Sequence, residues 1–95
     1  RQGARPLLIG FAAETTAVEE YAARKLREKR CDAIIANDVA EPGSGFGTDT
    51  NRVTILKAQT LDAETPPLIE RLPQLSKDEV AVQLWNRFAQ WLLTK

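Results

Sequence analysis

Pro6-Leu7-Leu8-Ile9-Gly10-Phe11-Ala12-Ala13-Glu14-Thr15 decides how this chain folds. Leu7, Leu8 and Ile9, followed past one glycine by Phe11, show no polar alternation, and such a run predicts a strand buried on both faces, the habit of parallel sheets. Helices must then lie above and below it. Gly10 and the Ala12-Ala13 pair remove bulk where the chain leaves the strand, so backbone or ligand can approach closely at the strand's carboxyl end. Open α/β sheets place their binding crevice at that end.

Downstream, Thr16-Ala17-Val18-Glu19 has the T-x-x-E spacing of a capping box and predicts a helix from about Ala17 to about Glu28 or Lys29. Val18, Tyr21, Ala22 and Leu26 fall on one face of it. With Val18 set to zero, Lys25 lies at about 340° and Lys29 at about 20°, inside the arc from Tyr21 at about 300° to Leu26 at about 80°. Two lysines therefore share the apolar stripe, while Glu19, Glu20, Arg24, Arg27 and Glu28 fill the rest of the circle. Lysines near a helix C-terminus are favoured by its dipole and can snorkel to water. In the other reading both ammonium groups reach an anion past the sheet's carboxyl edge, and a bound polyphosphate offsets the roughly few tenths of a kcal/mol of i, i+4 repulsion between them. Periodicity leaves both readings open.

Asp32-Ala33-Ile34-Ile35-Ala36-Asn37-Asp38 is a second short apolar run closed by polar residues. Strand, helix and strand in this span make a βαβ unit with parallel strands and a right-handed crossover, which brings Asn37 and Asp38 to the same sheet edge as Gly10 and Phe11. Cys31 precedes the strand and reads as a small half-buried residue, since no histidine exists to activate it. Glu41 to Asn51 is a loop by composition. Gly43, Gly45 and Gly47 alternate like a phosphate cradle, but no Gly-Lys-Ser/Thr follows, so neither the P-loop nor the dinucleotide fingerprint is met. Asp49-Thr50-Asn51 lacks the closing acid of a calcium loop, and Phe46 among these glycines reads as a plug for a core or interface.

Arg52 to Ala58 is a third strand, rich in β-branched residues, and Pro67-Leu68-Ile69 predicts a short antiparallel partner held to an edge by its proline. Ser76-Lys77-Asp78-Glu79 is another capping box. It opens a helix from about Lys77 to about Leu93 whose core face is Val80, Leu84, Phe88, Trp91 and Leu92, widened by Trp85, and this helix covers one face of the sheet.

Composition narrows the function. The 95 residues make one small domain with a modest core, and Arg1 rather than methionine at the start reads as a piece of a longer polypeptide. Thirteen basic and thirteen acidic residues cancel, so no whole-molecule field favours nucleic acid or a membrane, and no apolar run approaches a membrane span. The single cysteine excludes an internal disulfide and fits a reducing cytoplasm, and the absence of histidine removes His-based general bases and the usual zinc ligands.

Gly10 to Thr15, then Lys25 and Lys29, then Asp32 to Val39, then Gly45 to Asn51 resemble, in order and spacing, the C-terminal half of bacterial phosphopantothenoylcysteine synthetase, usually the second part of a bifunctional coenzyme A biosynthesis flavoprotein. The resemblance covers nearly the whole chain and is least distinctive from Gln59 onward. It implies a Rossmann-like three-layer α/β/α fold, here a partial domain with a parallel βαβ unit, a C-terminal hairpin-like strand pair and a covering helix. Residues 1–95 would be the C-terminal portion of such a domain.

The resemblance further implies a cytoplasmic ligase that activates 4′-phosphopantothenate with CTP as an acyl-cytidylate, from which the amine of cysteine displaces CMP. Magnesium accompanies the triphosphate, and FMN enters only if a decarboxylase is fused upstream. The family's nucleotide contacts fall on Phe11, Lys25 and Lys29. A homodimer is implied, with the strand from Arg52 to Ala58 and its partner as interface candidates. The family's nucleotide-binding aspartate, lysine-rich flap and intermediate-binding asparagine correspond to positions ahead of Arg1, so no catalytic residue and no metal ligand is assigned, and the fragment alone is expected to be inactive. Two other readings stand beside this one: a non-catalytic α/β interaction module, and a related ligase that uses ATP.

Overall fold

The apolar run forms strand β1 (Ile9–Glu14), followed by helix α1 (Val18–Lys29) and strand β2 (Ala33–Asp38). Then come a short strand β3 (Thr50–Asn51), β4 (Val53–Lys57), β5 (Leu68–Arg71), another short strand β6 (Leu75–Ser76) and helix α2 (Lys77–Leu93). The computed structural model describes residues 7–38, 50–59 and 65–93, so the glycine-rich stretch with Phe46 and Asp49 lies outside the described residues.

β1 and β2 are parallel, from Ile9 opposite Ala33 to Glu14 opposite Asp38, as a βαβ unit requires. β4 pairs antiparallel with β2, and β5 antiparallel with β4, so the main sheet runs β1-β2-β4-β5. β3 and β6 form a small antiparallel ribbon at the start of α2. The sheet is sandwiched between the two helices because its side chains alternate in direction. Ala12, Ile34, Ala36 and Leu56 face Ala22 and Leu26 of α1. Ile35, Val53 and Ile55 face Val80 of α2 together with Leu72, and Ile9, Leu84, Phe88 and Trp91 pack around them. This is the expected three-layer α/β/α arrangement.

β1 departs from its sequence reading. Of its residues only Ala12 is buried, while Phe11 is 67% exposed and the preceding Leu8 is exposed as well. Among the described residues no strand pairs with its outer side, so a run that looks built for the middle of a sheet stands at the edge. Ala12 and Ala13 belong to the strand rather than to its exit, and β2 therefore ends with Asn37 and Asp38 opposite Ala13 and Glu14, beyond Gly10 and Phe11. Gly10 serves packing: a Cβ there would stand 2.7 Å from the Cδ1 of Ile34 on the neighbouring strand.

The helix termini also diverge. At α1 the flanking residue is Ala17, in the left-handed region at φ 49°, ψ 44°, with no side-chain cap, so Thr16 is out of register with Glu19 and the capping box does not form. The helix closes with Arg30 in the same left-handed region at φ 52°, where Arg30 N–H donates to the Arg27 carbonyl and Cys31 N–H to the Leu26 carbonyl. That pair of bonds is a Schellman closure built on arginine where glycine is usual. At α2 the predicted box is complete: Glu79 N–H donates to Ser76 Oγ at 3.1 Å, and Ser76 N–H donates to the Glu79 carboxylate at 3.2 Å. The predicted core face of α2 is narrower than its sequence suggests, since Trp85 is 71% exposed and Leu92 58% exposed. On α1, Tyr21 lies at the surface, where Arg24 stacks on its ring at 4.5 Å.

The two termini should respond differently to one kind of change. Ser76→Ala removes a working cap and should lower stability by about 1 kcal/mol in urea denaturation. Thr16→Ala should leave the midpoint where it was; a loss there equal to that of Ser76→Ala would contradict the assignment of Ala17 as the uncapped flank.

Candidate functional site

The strand ends gather what a site needs. α1 follows β1 and so begins at the carboxyl end of the parallel pair. β4 runs the other way, which places its first residue, Val53, opposite Asn37 at that same end. β3 and β6 close the ribbon beside it, so α2 starts there too. Both helices thus direct their partially positive amino ends to the side where Glu14, Asn37 and Asp38 end their strands. Each first turn carries its own acids, Glu19 and Glu20 on α1 and Asp78 and Glu79 on α2, which answer that partial charge locally.

Side chains tie this end together. The guanidinium of Arg71, at the end of β5, donates two hydrogen bonds to the Glu19 carboxylate at 2.6 and 2.7 Å, and these bonds push the arginine's pKa further up. Asn37 Nδ2 lies 3.5 Å from Asn51 Oδ1, joining β2 to β3. Arg71 and Glu19 stand far apart in sequence, and nothing in the pattern of residues foretold their pairing.

The sequence-predicted binding residues are spread over this frame. Lys25 extends towards the strand ends, as helical side chains lean to their own amino terminus, and its Nζ lies 3.9 Å from the carboxylate of Glu14, half exposed. Lys29 sits one turn further from that end, in the last turn of α1 and exposed, close enough to Cys31 for its charge to act on the thiol. Phe11 stands on the face of β1 that also carries Ile9, which packs on the α2 side, whereas α1 covers the opposite face through Ala12. The ring and the amines therefore lie on opposite faces of one edge strand. A ligand that touches all three must wrap the open edge of β1.

Other features lie apart from this end. A cleft of about 580 Å³ opens between β4, β5 and α2. Within it the Lys57 amine stands 5.5 Å from the centre of the Trp91 ring, while Arg87 holds the Glu70 carboxylate with two hydrogen bonds, which lower that carboxyl's pKa. Of the strands suggested for a dimer interface, β4 is enclosed between β2 and β5, and β5 keeps an open side and is exposed throughout. Among the described residues no group of three or more Asp, Glu, Cys or His could hold a metal ion, and no helix is long and apolar enough to cross a membrane.

Residues 1–92 match the family described as the DNA/pantothenate metabolism flavoprotein C-terminal domain. The chain belongs to this family. It is 43% identical over 83 residues to the coenzyme A biosynthesis bifunctional protein CoaBC of Bacillus subtilis, covering 87% of this chain and 19% of that protein. The Escherichia coli K12 CoaBC is 44% identical over 82 residues, covering 83% and 20%. A crystal structure of the C-terminal domain of CoaBC superimposes with a TM-score of 0.67 at 46% identity, over 94% of this chain and 39% of that one. Within this family, then, the chain is homologous to the C-terminal domain of a coenzyme A biosynthesis protein and spans about a fifth of the length of these curated relatives.

Cys31 offers a check on the local geometry. Burial pushes its thiol pKa up and the neighbouring Asp32 carboxylate adds to this, with Lys29 opposing. A raised pKa leaves less thiolate at a given pH, so the rate of alkylation by iodoacetamide should climb at higher pH than for the same chain in urea. A native profile that overlays the denatured one would show the thiol to be open to solvent.

Proposed function

We propose that this chain is the C-terminal, nucleotide-contacting portion of a phosphopantothenate–cysteine ligase. In that reaction the carboxylate of 4′-phosphopantothenate attacks the α-phosphate of CTP, pyrophosphate departs, and the acyl-cytidylate is then opened by the amine of cysteine with loss of CMP. The observation that supports the reading most is the family match over residues 1–92, combined with a parallel βαβ unit that carries Lys25 towards its strand ends.

The residues of this chain would act by binding and positioning. The Lys25 amine, free to exchange its long contact with Glu14 for a phosphate oxygen, supplies positive charge at the strand ends, and charge-assisted bonds of this kind are among the stronger ones a protein makes. Lys29 extends the same charge along the helix, and Phe11 supplies an apolar wall at the open edge of β1. Magnesium would travel with the triphosphate; the described acids form no cage for it, and no residue here is assigned to hold it. FMN belongs to a decarboxylase fused upstream, if the parent has one. Dimerisation would use the open side of β5, and a cytoplasmic setting agrees with the single half-buried thiol.

The test is ligand-dependent stability in the longer domain. CTP with magnesium at a hundred times its dissociation constant should stabilise it by about 2.7 kcal/mol, and ATP should do so far less. Lys25→Glu and Lys29→Glu should abolish the CTP shift without lowering the unliganded melting temperature. Equal protection by ATP would favour the ATP-dependent relative, and no protection by either nucleotide would favour an interaction module.

A further inference from the structure

α2 carries a second apolar stripe that the core does not use. Val82, Trp85, Ala89 and Leu92 recur at i, i+3, i+7 and i+10 and are all exposed. On a helical projection they fall within about 80° of one another, centred roughly a third of a turn from the face formed by Val80, Leu84 and Trp91. They point sideways, within the plane of the helix layer. One flank of α2 is already engaged with β5, since Arg87 binds Glu70 there, so the apolar flank is the one turned towards β1. From Val80 to Leu93 the only charged residue is Arg87, which an exposed helix flank in water would not ordinarily show.

β1 presents a matching opening. Leu8 directs both its N–H, bonded to the Asp32 carboxylate at 2.8 Å, and its carbonyl, bonded by Asp32 and Ala33, towards β2. By the alternation of the ladder, Ile9, Phe11 and Ala13 turn their N–H and C=O groups outward, and among the described residues no strand meets them. Handedness joins the two openings. The crossover from β1 to β2 places α1 on one face; right-handed crossovers that progress the other way, outward from β1, place their helices on the opposite face, in the layer of α2.

We propose that the open edge of β1 and the flank of Val82, Trp85, Ala89 and Leu92 form one docking surface for a strand–helix unit of the longer domain: an apolar strand parallel to β1, followed by a helix that lays an uncharged face beside α2. Such a unit would come from outside the 39% of the solved relative that this chain covers. The inference does not depend on CTP.

The test replaces the aligned segment of the Bacillus subtilis and Escherichia coli relatives with this chain and compares each chimaera with the isolated chain. Trp85 emission, taken as the difference from a Trp85→Phe form, should shift to the blue and lose acrylamide quenching in the chimaeras. Trp85→Arg should lower the melting temperature of a chimaera by several degrees and leave the isolated chain unchanged, while Asn86→Arg should be silent in both. A tryptophan that stays quenchable in a folded chimaera overturns the proposal. So does failure of both hosts to fold with the inserted segment, because a surface fitted to that unit accepts it. A concentration-dependent dimer of the isolated chain that Trp85→Arg dissolves would assign the flank to a second copy instead.

Discussion

The fold depends on how closely α1 can lie against the β1–β2 pair. The contact is made of small residues: Ala12 and Ala36 on the strands and Ala22 on the helix, all buried, with Ala22 fully so. They leave room for Leu26, Ile34 and Leu56 to interlock between the layers, and interiors packed to crystal-like density resist enlargement at such points. Gly10 extends the same constraint, because Ile34 already fills the space a side chain would need. Once α1 is seated, the parallel register follows, and with it the position of Glu14, Asp38 and the root of Lys25 at one end.

That end carries a mixed field. Two helix amino termini offer partial positive charge, yet Glu14, Glu19, Glu20 and Asp38 surround them with carboxylates. Arg71 neutralises Glu19, and Lys25 meets Glu14 at the long limit of an ion pair. Exposed pairs of this sort contribute little to stability, so they rearrange readily when a stronger anion arrives. Ala17 adds a second sign of a purposeful turn, since a non-glycine residue in the left-handed region persists only where its surroundings hold it there.

Much of this was legible from residue order. The two-state alternation of short apolar runs and capped helices foretold the parallel βαβ unit, the antiparallel β4–β5 pair and the full extent of α2, because periodicity and capping are local physics. Three points were not. An apolar run looks the same whether its neighbouring strand is present or lies outside the chain, which is why Phe11 and Leu8 read as buried and are exposed. A T-x-x-E match cannot tell whether the helix starts at the threonine or one residue later, as it does here at Ala17. The same projection put Lys25 and Lys29 on one stripe but could not show that a strand separates them from Phe11, since a helical wheel carries no information about the sheet beneath it.

The near absence of charge along α2 bears on how the isolated polypeptide behaves in a tube. Its isoelectric point is near 6.5, so at neutral pH the molecule has almost no net repulsion to keep copies apart. A bare tryptophan and two leucines on one helix then act as an adhesive, and colloidal solubility should be poorest just below neutrality and improve in mildly alkaline, low-salt buffer.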